Sequence, residues 1–166
     1  MHEAARRFVE QARTEVWRGG TVLELGSRYW NGRVRDLFSD AHRYVGVDQQ
    51  AGRDVDLVCD FLELPEDLGL FDLVLCCEVL EHCPWVASAL ATMRAHLKPG
   101  GGLIITCAGP GRGEHDGGTG YYRNLEPEEL TAALAPFCAR HLFIHDEAAH
   151  DLRFWGVTFG PGESRP

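Results

Sequence analysis

With 166 residues and 45% hydrophobic content, the chain can fill one hydrophobic core but not comfortably two, so a single domain over residues 1–166 is expected. Its 16 Lys and Arg stand against 25 Asp and Glu, and no basic run exceeds Arg6-Arg7, which disfavours nucleic acid as an extended partner and an anionic lipid surface. No apolar run approaches a membrane span, and the six cysteines sit mostly in apolar runs without a C-x-x-C pair, as buried thiols of a reducing, cytoplasmic setting would.

Phe8, Val9, Ala12 and Val16 recur at helical spacing ahead of Gly19-Gly20, which predicts an N-terminal helix within residues 1–18. "TVLELG" then reads as a short strand, followed by a polar helical piece around Val34 to Ser39. "YVGVD", "VDLVCD", "FDLVLCC" and "GLIITC" are short runs rich in Val, Leu and Ile without clean alternation, the pattern of parallel strands covered on both faces. Between the last two, Val86, Leu90, Met93 and Leu97 form a helical stripe opened by Pro84 and ended by "KPGGG". A glycine-rich loop spans Ala108 to Asn124, and "LEPEELTAALAPF" is a further helix. "RHLFIH" and "RFWGVTFG" close the chain as an antiparallel edge pair.

Strands alternating with helices imply a doubly wound sheet, whose ligands bind outside the carboxyl ends of the strands. The informative residues are therefore Glu24 and Gly26 after the first strand, Asp48 after the second, Asp60 after the third, Cys77-Glu78 after the fourth, and the glycine loop after the fifth. An acid closing the second strand, about 20 residues past the first loop, suits a bidentate grip on ribose hydroxyls. Asp48 and Asp60 also suit plain strand-end turns, and Cys76, Cys77 and Cys107 suit small buried hydrophobes.

In order and spacing, "VLELGS", "VGVD", "LVCDFLEL", "FDLVLCCEVLEH" and "LKPGGGLIITC" resemble the motifs of class I S-adenosylmethionine-dependent methyltransferases, in particular their small-molecule branch with an "EVLEH" segment. The resemblance implies a Rossmann-like, mostly parallel seven-stranded sheet with an antiparallel C-terminal strand pair. It implies S-adenosylmethionine as methyl donor, S-adenosylhomocysteine as product, and a small-molecule acceptor; a homodimer is left open. Carried onto these positions, Glu24, Gly26 and Ser27 approach the methionine part of the donor. Asp48 and Gln49 take the ribose, Asp60 and Phe61 the adenine, and Cys77 and Glu78 the amino-acid end. The first loop departs from the family's E-x-G-x-G-x-G, since Arg28 occupies the position of the second glycine. A dinucleotide needs that glycine for its pyrophosphate, whereas a donor without phosphate tolerates bulk there, leaving Tyr29 and Trp30 to face substrate.

If the acceptor is a hydroxyl, a general base is needed, and His115, His82 and the pair Tyr121-Tyr122 are the candidates, with the two histidines foremost. Glu114 and Asp116 flank His115. Glu78, Glu81 and His82 also resemble the metal-ligand segment of methyltransferases that bind a divalent ion, to which His115 would add a ligand; the reading without metal is favoured. A non-catalytic relative is the main alternative, suggested by the eroded glycine loop and the lack of a cap domain. A nicotinamide-dependent oxidoreductase is weakened by the missing G-x-G-x-x-G.

Overall fold

The computed structural model describes residues 2–115 and 117–163. Helix α1 (Glu3–Val16) leads into β1 (Thr21–Leu25), β2 (Arg43–Asp48), β3 (Leu57–Val58) and β4 (Phe71–Cys77). After these come α2 (Val86–Ala95), β5 (Leu97–Ala108), α3 (Pro127–Leu134), β6 (Cys138–Asp146) and β7 (Asp151–Thr158). The strands form one seven-stranded sheet in the order β3-β2-β1-β4-β5-β7-β6. β1 to β5 pair in parallel, and β7 pairs antiparallel with both β5 and β6, the sheet expected from the sequence.

β4 shows why its sequence lacks alternation. Leu73, Leu75 and Cys77 point to the face covered by α1, where Phe8, Val9, Ala12 and Val16 meet them. Val74 and Cys76 point to the other face, packed under Val86, Leu90 and Met93 of α2 and Leu130 and Leu134 of α3. Both faces are dry, so both parities are apolar. Gly102 allows the end of α1 to sit on β5, because a Cβ there would lie 2.5 Å from the Val16 carbonyl oxygen. Among the described residues, no helix is long and apolar enough to cross a membrane.

Three expectations change. The piece around Val34 to Ser39 is a short 3-10 turn, Arg35–Phe38, whose purpose is to bury Phe38 edge-on against Trp17 at 5.3 Å between ring centroids. "KPGGG" does not end α2; the helix stops at Ala95, and these residues belong to β5, which pairs Leu97 with Phe71 and, past an irregularity in register, Gly102 with Leu73. Only Leu57–Val58 of "VDLVCD" pairs, at the sheet's edge, and the links between β1 and β4 are built from 3-10 turns without an α-helix.

Candidate active site

The sheet grows from β1 through β2 to β3 on one side and from β4 to β5 on the other. Chain connections therefore leave β1 and β4 in opposite directions and open a crevice at their carboxyl ends. A cleft of about 580 Å³ lies there, and Gly26, Asp48, Gln49, Asp60, Phe61, Glu78, His82 and His115 all line it. Glu24, Ser27 and Cys77 do not.

Gly26 turns the chain at φ +74°, and a Cβ on it would lie 2.2 Å from Val79 Cγ2, so the turn closes only on glycine. Its N–H donates to the Val47 carbonyl at 2.8 Å, tying the turn to β2. Asp48 accepts hydrogen bonds from the Gln50 N–H at 3.0 Å and the Arg28 N–H at 3.3 Å. Asp60 accepts one from the Leu62 N–H at 2.9 Å and thereby caps the turn that carries Phe61. Each acid is thus a turn former and a cleft residue at once. The bulk after Gly26 is absorbed by stacking: the Arg28 guanidinium lies 4.6 Å from the Trp30 ring centroid, and Arg53 covers Tyr29 at 4.7 Å. Trp30 lines the cleft, as expected, and Tyr29 does not. Trp30 and Trp85, which also lines it, are 55% and 65% exposed.

Strand alternation explains the exception at Glu24. With Val22 it points to the α1 face, away from the cleft, and its Oε2 accepts a hydrogen bond from the Tyr44 hydroxyl at 2.7 Å. Burial pushes its carboxyl up to about 8, although the Tyr44 bond opposes this. The folded protein therefore keeps on Glu24 a proton that the unfolded chain has released, and stability falls as pH rises from the ordinary carboxyl range toward about 8. Glu24→Gln should remove that slope and be the more stable chain at pH ~8, because an amide has no charge to bury. Melting temperatures of the two chains that stay parallel from pH ~5 to ~9 would exclude this account. Ser27 is buried with its N–H on the Val47 carbonyl at 3.0 Å, and the Cys77 side chain is buried in the α1 cluster.

The glycine segment after β5 folds back over the cleft. Gln50 Nε2 donates to the Gly118 carbonyl at 3.3 Å, and Thr119 Oγ1 donates to the His82 carbonyl at 3.3 Å. Gly117 lies flat on the His82 imidazole, where a Cβ would come within 2.5 Å. The His82 and His115 rings meet at 5.0 Å, and Tyr122 packs against both at 5.5 and 4.8 Å. His82 Nδ1 is 3.1 Å from the Tyr121 carbonyl and His115 Nδ1 is 3.2 Å from that of Gly113. A carbonyl only accepts, so in each neutral ring Nδ1 carries the hydrogen, and His115 Nε2 keeps its lone pair for a ligand. The Tyr122 hydroxyl donates to Asn124 Oδ1 at 2.8 Å, and burial holds its pKa above the ordinary value. Asp116 lies outside the described residues.

The segment Glu78-Val79-Leu80-Glu81-His82 is split by the structure. Glu81, His82 and His115 bring ligand atoms within 4.8 Å of one another, while Glu78 gathers instead with His2 and Asp151. Glu81 is wholly buried, and among the described residues neither carboxylate oxygen makes a hydrogen bond of good geometry. Burial first, and the charge of Glu78 second, push its carboxyl up to about 8. Glu78 behaves oppositely: burial works against its charge, but hydrogen bonds to it from His2, foremost, and from the Thr106 hydroxyl, with the charge of Arg112, outweigh it and hold the carboxyl below the ordinary value. Its backbone is left-handed at φ 57°.

His2 and Gln50 line the cleft without having been expected there. Gln50 was findable, standing two residues past the strand-end acid; nothing local in the sequence marks His2 or its partner Asp151.

The chain matches the family described as methyltransferase domain over residues 23–105. A stretch of 42 residues is 43% identical to the ubiquinone biosynthesis O-methyltransferase of Marinobacter nauticus, and covers 25% of this chain but only 18% of that enzyme. In fold, the chain is similar to the 1,6-didemethyltoxoflavin-N1-methyltransferase of Burkholderia thailandensis, solved with S-adenosylhomocysteine, at a TM-score of 0.69 and 24% identity over 95% of this chain and 79% of that one. It is similar also to the N-methyltransferase NodS of Bradyrhizobium japonicum, at 0.67 and 17% identity over 94% and 86%. An amino pentose methyltransferase of Micromonospora echinaspora gives 0.65 and 17% over 94% and 89%.

Proposed function

We propose, from the premise that the chain belongs to the methyltransferase-domain family, that it transfers a methyl group from S-adenosylmethionine to a hydroxyl of a small molecule such as a sugar or secondary metabolite. The observation that carries this is the single cleft onto which the carboxyl ends of β1, β2 and β4 and the turn after β3 present Gly26, Asp48, Glu78 and Asp60-Phe61. Its residues fit such a donor. Gly26 leaves the backbone bare beside the cleft, Asp48 offers carboxylate lone pairs for ribose hydroxyls, and Glu78 puts a carboxylate on the wall where a cationic amino-acid end would lie. The relatives named above, which include an O-methyltransferase and two N-methyltransferases, support a small-molecule acceptor without choosing the accepting atom.

When bound, S-adenosylmethionine supplies a methyl carbon made electrophilic by its sulfonium. The protein's part is to hold acceptor and methyl in line at near-attack distance and to take one proton. His115 Nε2 would take the proton that the acceptor hydroxyl gives up when it is methylated. The 108–124 segment, lying across His82 and Gln50, shields that exchange from water.

A second reading is favoured by the unsatisfied, buried carboxylate of Glu81 between two histidines: Glu81, His82 and His115 would hold a divalent ion that polarises the acceptor. Dialysis against a chelator separates the two. Full activity afterwards removes the metal, and loss that added Mg²⁺ or Zn²⁺ restores removes the simple base. For the function itself, calorimetry with S-adenosylmethionine and with NAD, followed by labelled methyl offered with fractionated extract, is the deciding pair. Donor binding without any methyl acceptor would favour the non-catalytic alternative, and binding of NAD alone would sink the proposal.

A further inference from the structure

We infer that His2 is a positioning residue of the donor site: clamped between Glu78 and the buried Asp151 at the head of α1, its imidazole fixes the Glu78 carboxylate at the amino-acid end of the cleft. This rests on the methyltransferase reading above and adds to it a residue outside every motif of the family.

His2 Nε2 lies 3.1 Å from Asp151 Oδ2 and 3.4 Å from Glu78 Oε2, and His2 lines the cleft. Asp151 opens β7 and is fully buried; its Oδ1 takes the Arg112 guanidinium at 2.5 Å and its Oδ2 the Arg153 guanidinium at 2.9 Å. Arg112 reaches on to Glu78 at 4.0 Å, and Arg153 to Asp146 at 3.1 Å. Three carboxylates thus face two guanidiniums, with His2 among them, its Nε2 also 3.3 Å from Arg112 Nη1. The hydrogen bond to Glu78, foremost, holds the imidazole above its ordinary value against the effect of burial.

The ordinary use of a residue in this position is to cap the helix that follows. His2 does not do that. It is the N-cap of α1 and its carbonyl accepts the first helical bond, from the Arg6 N–H at 3.2 Å, but its side chain makes no capping bond. The imidazole is committed to the acids of the cleft instead. Glu78 needs such a hold, because it stands on a left-handed backbone just past the end of β4, where it lines the cleft. With Oε2 held by His2, the direction of a carboxylate that lines the amino-acid end of the cleft is fixed.

The test compares His2→Ala and His2→Gln with the parent chain, using calorimetric titration with S-adenosylmethionine and with methylthioadenosine, which lacks the amino-acid end. His2→Ala should weaken S-adenosylmethionine binding ~10-fold, the scale of one charge-assisted hydrogen bond, and leave methylthioadenosine affinity and melting temperature within error. His2→Gln, whose amide still donates, should recover most of the loss. Unchanged S-adenosylmethionine affinity in His2→Ala overturns the inference, and so does an equal loss for both ligands, which is the mark of general damage. A parent chain that binds neither ligand refutes the methyltransferase reading itself.

Discussion

Replacing His115 by alanine lowers the turnover of a hydroxyl acceptor ~100-fold or more while S-adenosylmethionine affinity barely changes, the usual scale for losing a general base. The geometry behind this is specific. His115 Nδ1 is bonded toward the Gly113 carbonyl, which leaves Nε2 as the acceptor, and the ring is braced at 4.8 Å by Tyr122 and at 5.0 Å by His82. Its position in a glycine-rich segment lets the base arrive with the acceptor rather than stand in the way of it. Under the metal reading the pattern differs: His82→Ala and His115→Ala are both severe, and activity follows the ion. Near-normal turnover in His115→Ala defeats both readings and leaves the residue as a solvated loop histidine.

Asp48→Ala weakens S-adenosylmethionine binding by ~1.5 to 3 kcal/mol, roughly 10- to 150-fold, as expected for a hydrogen bond to a charged group. The side chain also holds its own turn through the Gln50 and Arg28 N–H groups, so part of any loss comes from a looser loop. Asp48→Asn separates the contributions, because an amide oxygen still accepts one turn bond but the residue has lost its charge. Calorimetry on both variants should show Asn intermediate and the melting temperatures close. Equal affinity in all three chains would take the ribose away from Asp48.

The sheet was legible because its strands are buried on both faces, which leaves unbroken Val, Leu and Ile runs that nothing else in the chain imitates. What misled was punctuation. "KPGGG" looks like a helix stop because proline and glycine usually are one, yet here they let β5 start early against Phe71 and let α1 lie on Gly102. The strand-end acids were readable from position, but side-chain direction was not. Glu24 and Asp48 both sit at strand ends, and only the partner of each face, Tyr44 in one case and open cleft in the other, decides which can meet a ligand. The "EVLEH" residues illustrate the same limit, since Glu78 and Glu81 separate into two clusters only once the backbone turns left-handed at Glu78. His2 and Asp151 lie near opposite ends of the sequence, and a charge network closed by the fold leaves no local pattern to find.

β7 is the last strand in sequence but an interior one in the sheet, seated between β5 and β6, with Leu152 and Phe154 fully buried. A ribosome delivers that interior piece after every other strand. Until it emerges, β5 keeps an open edge of unpaired backbone groups, and the α1 cluster lacks Trp155 and Val157. The packing of α1 is therefore complete only once β7 has been made, and β5 stays open on that side until then. Translation that stops short of residues 151–158 yields a chain with an exposed edge and an unanchored loop at Arg112, a target for quality-control proteases rather than a weakly active enzyme.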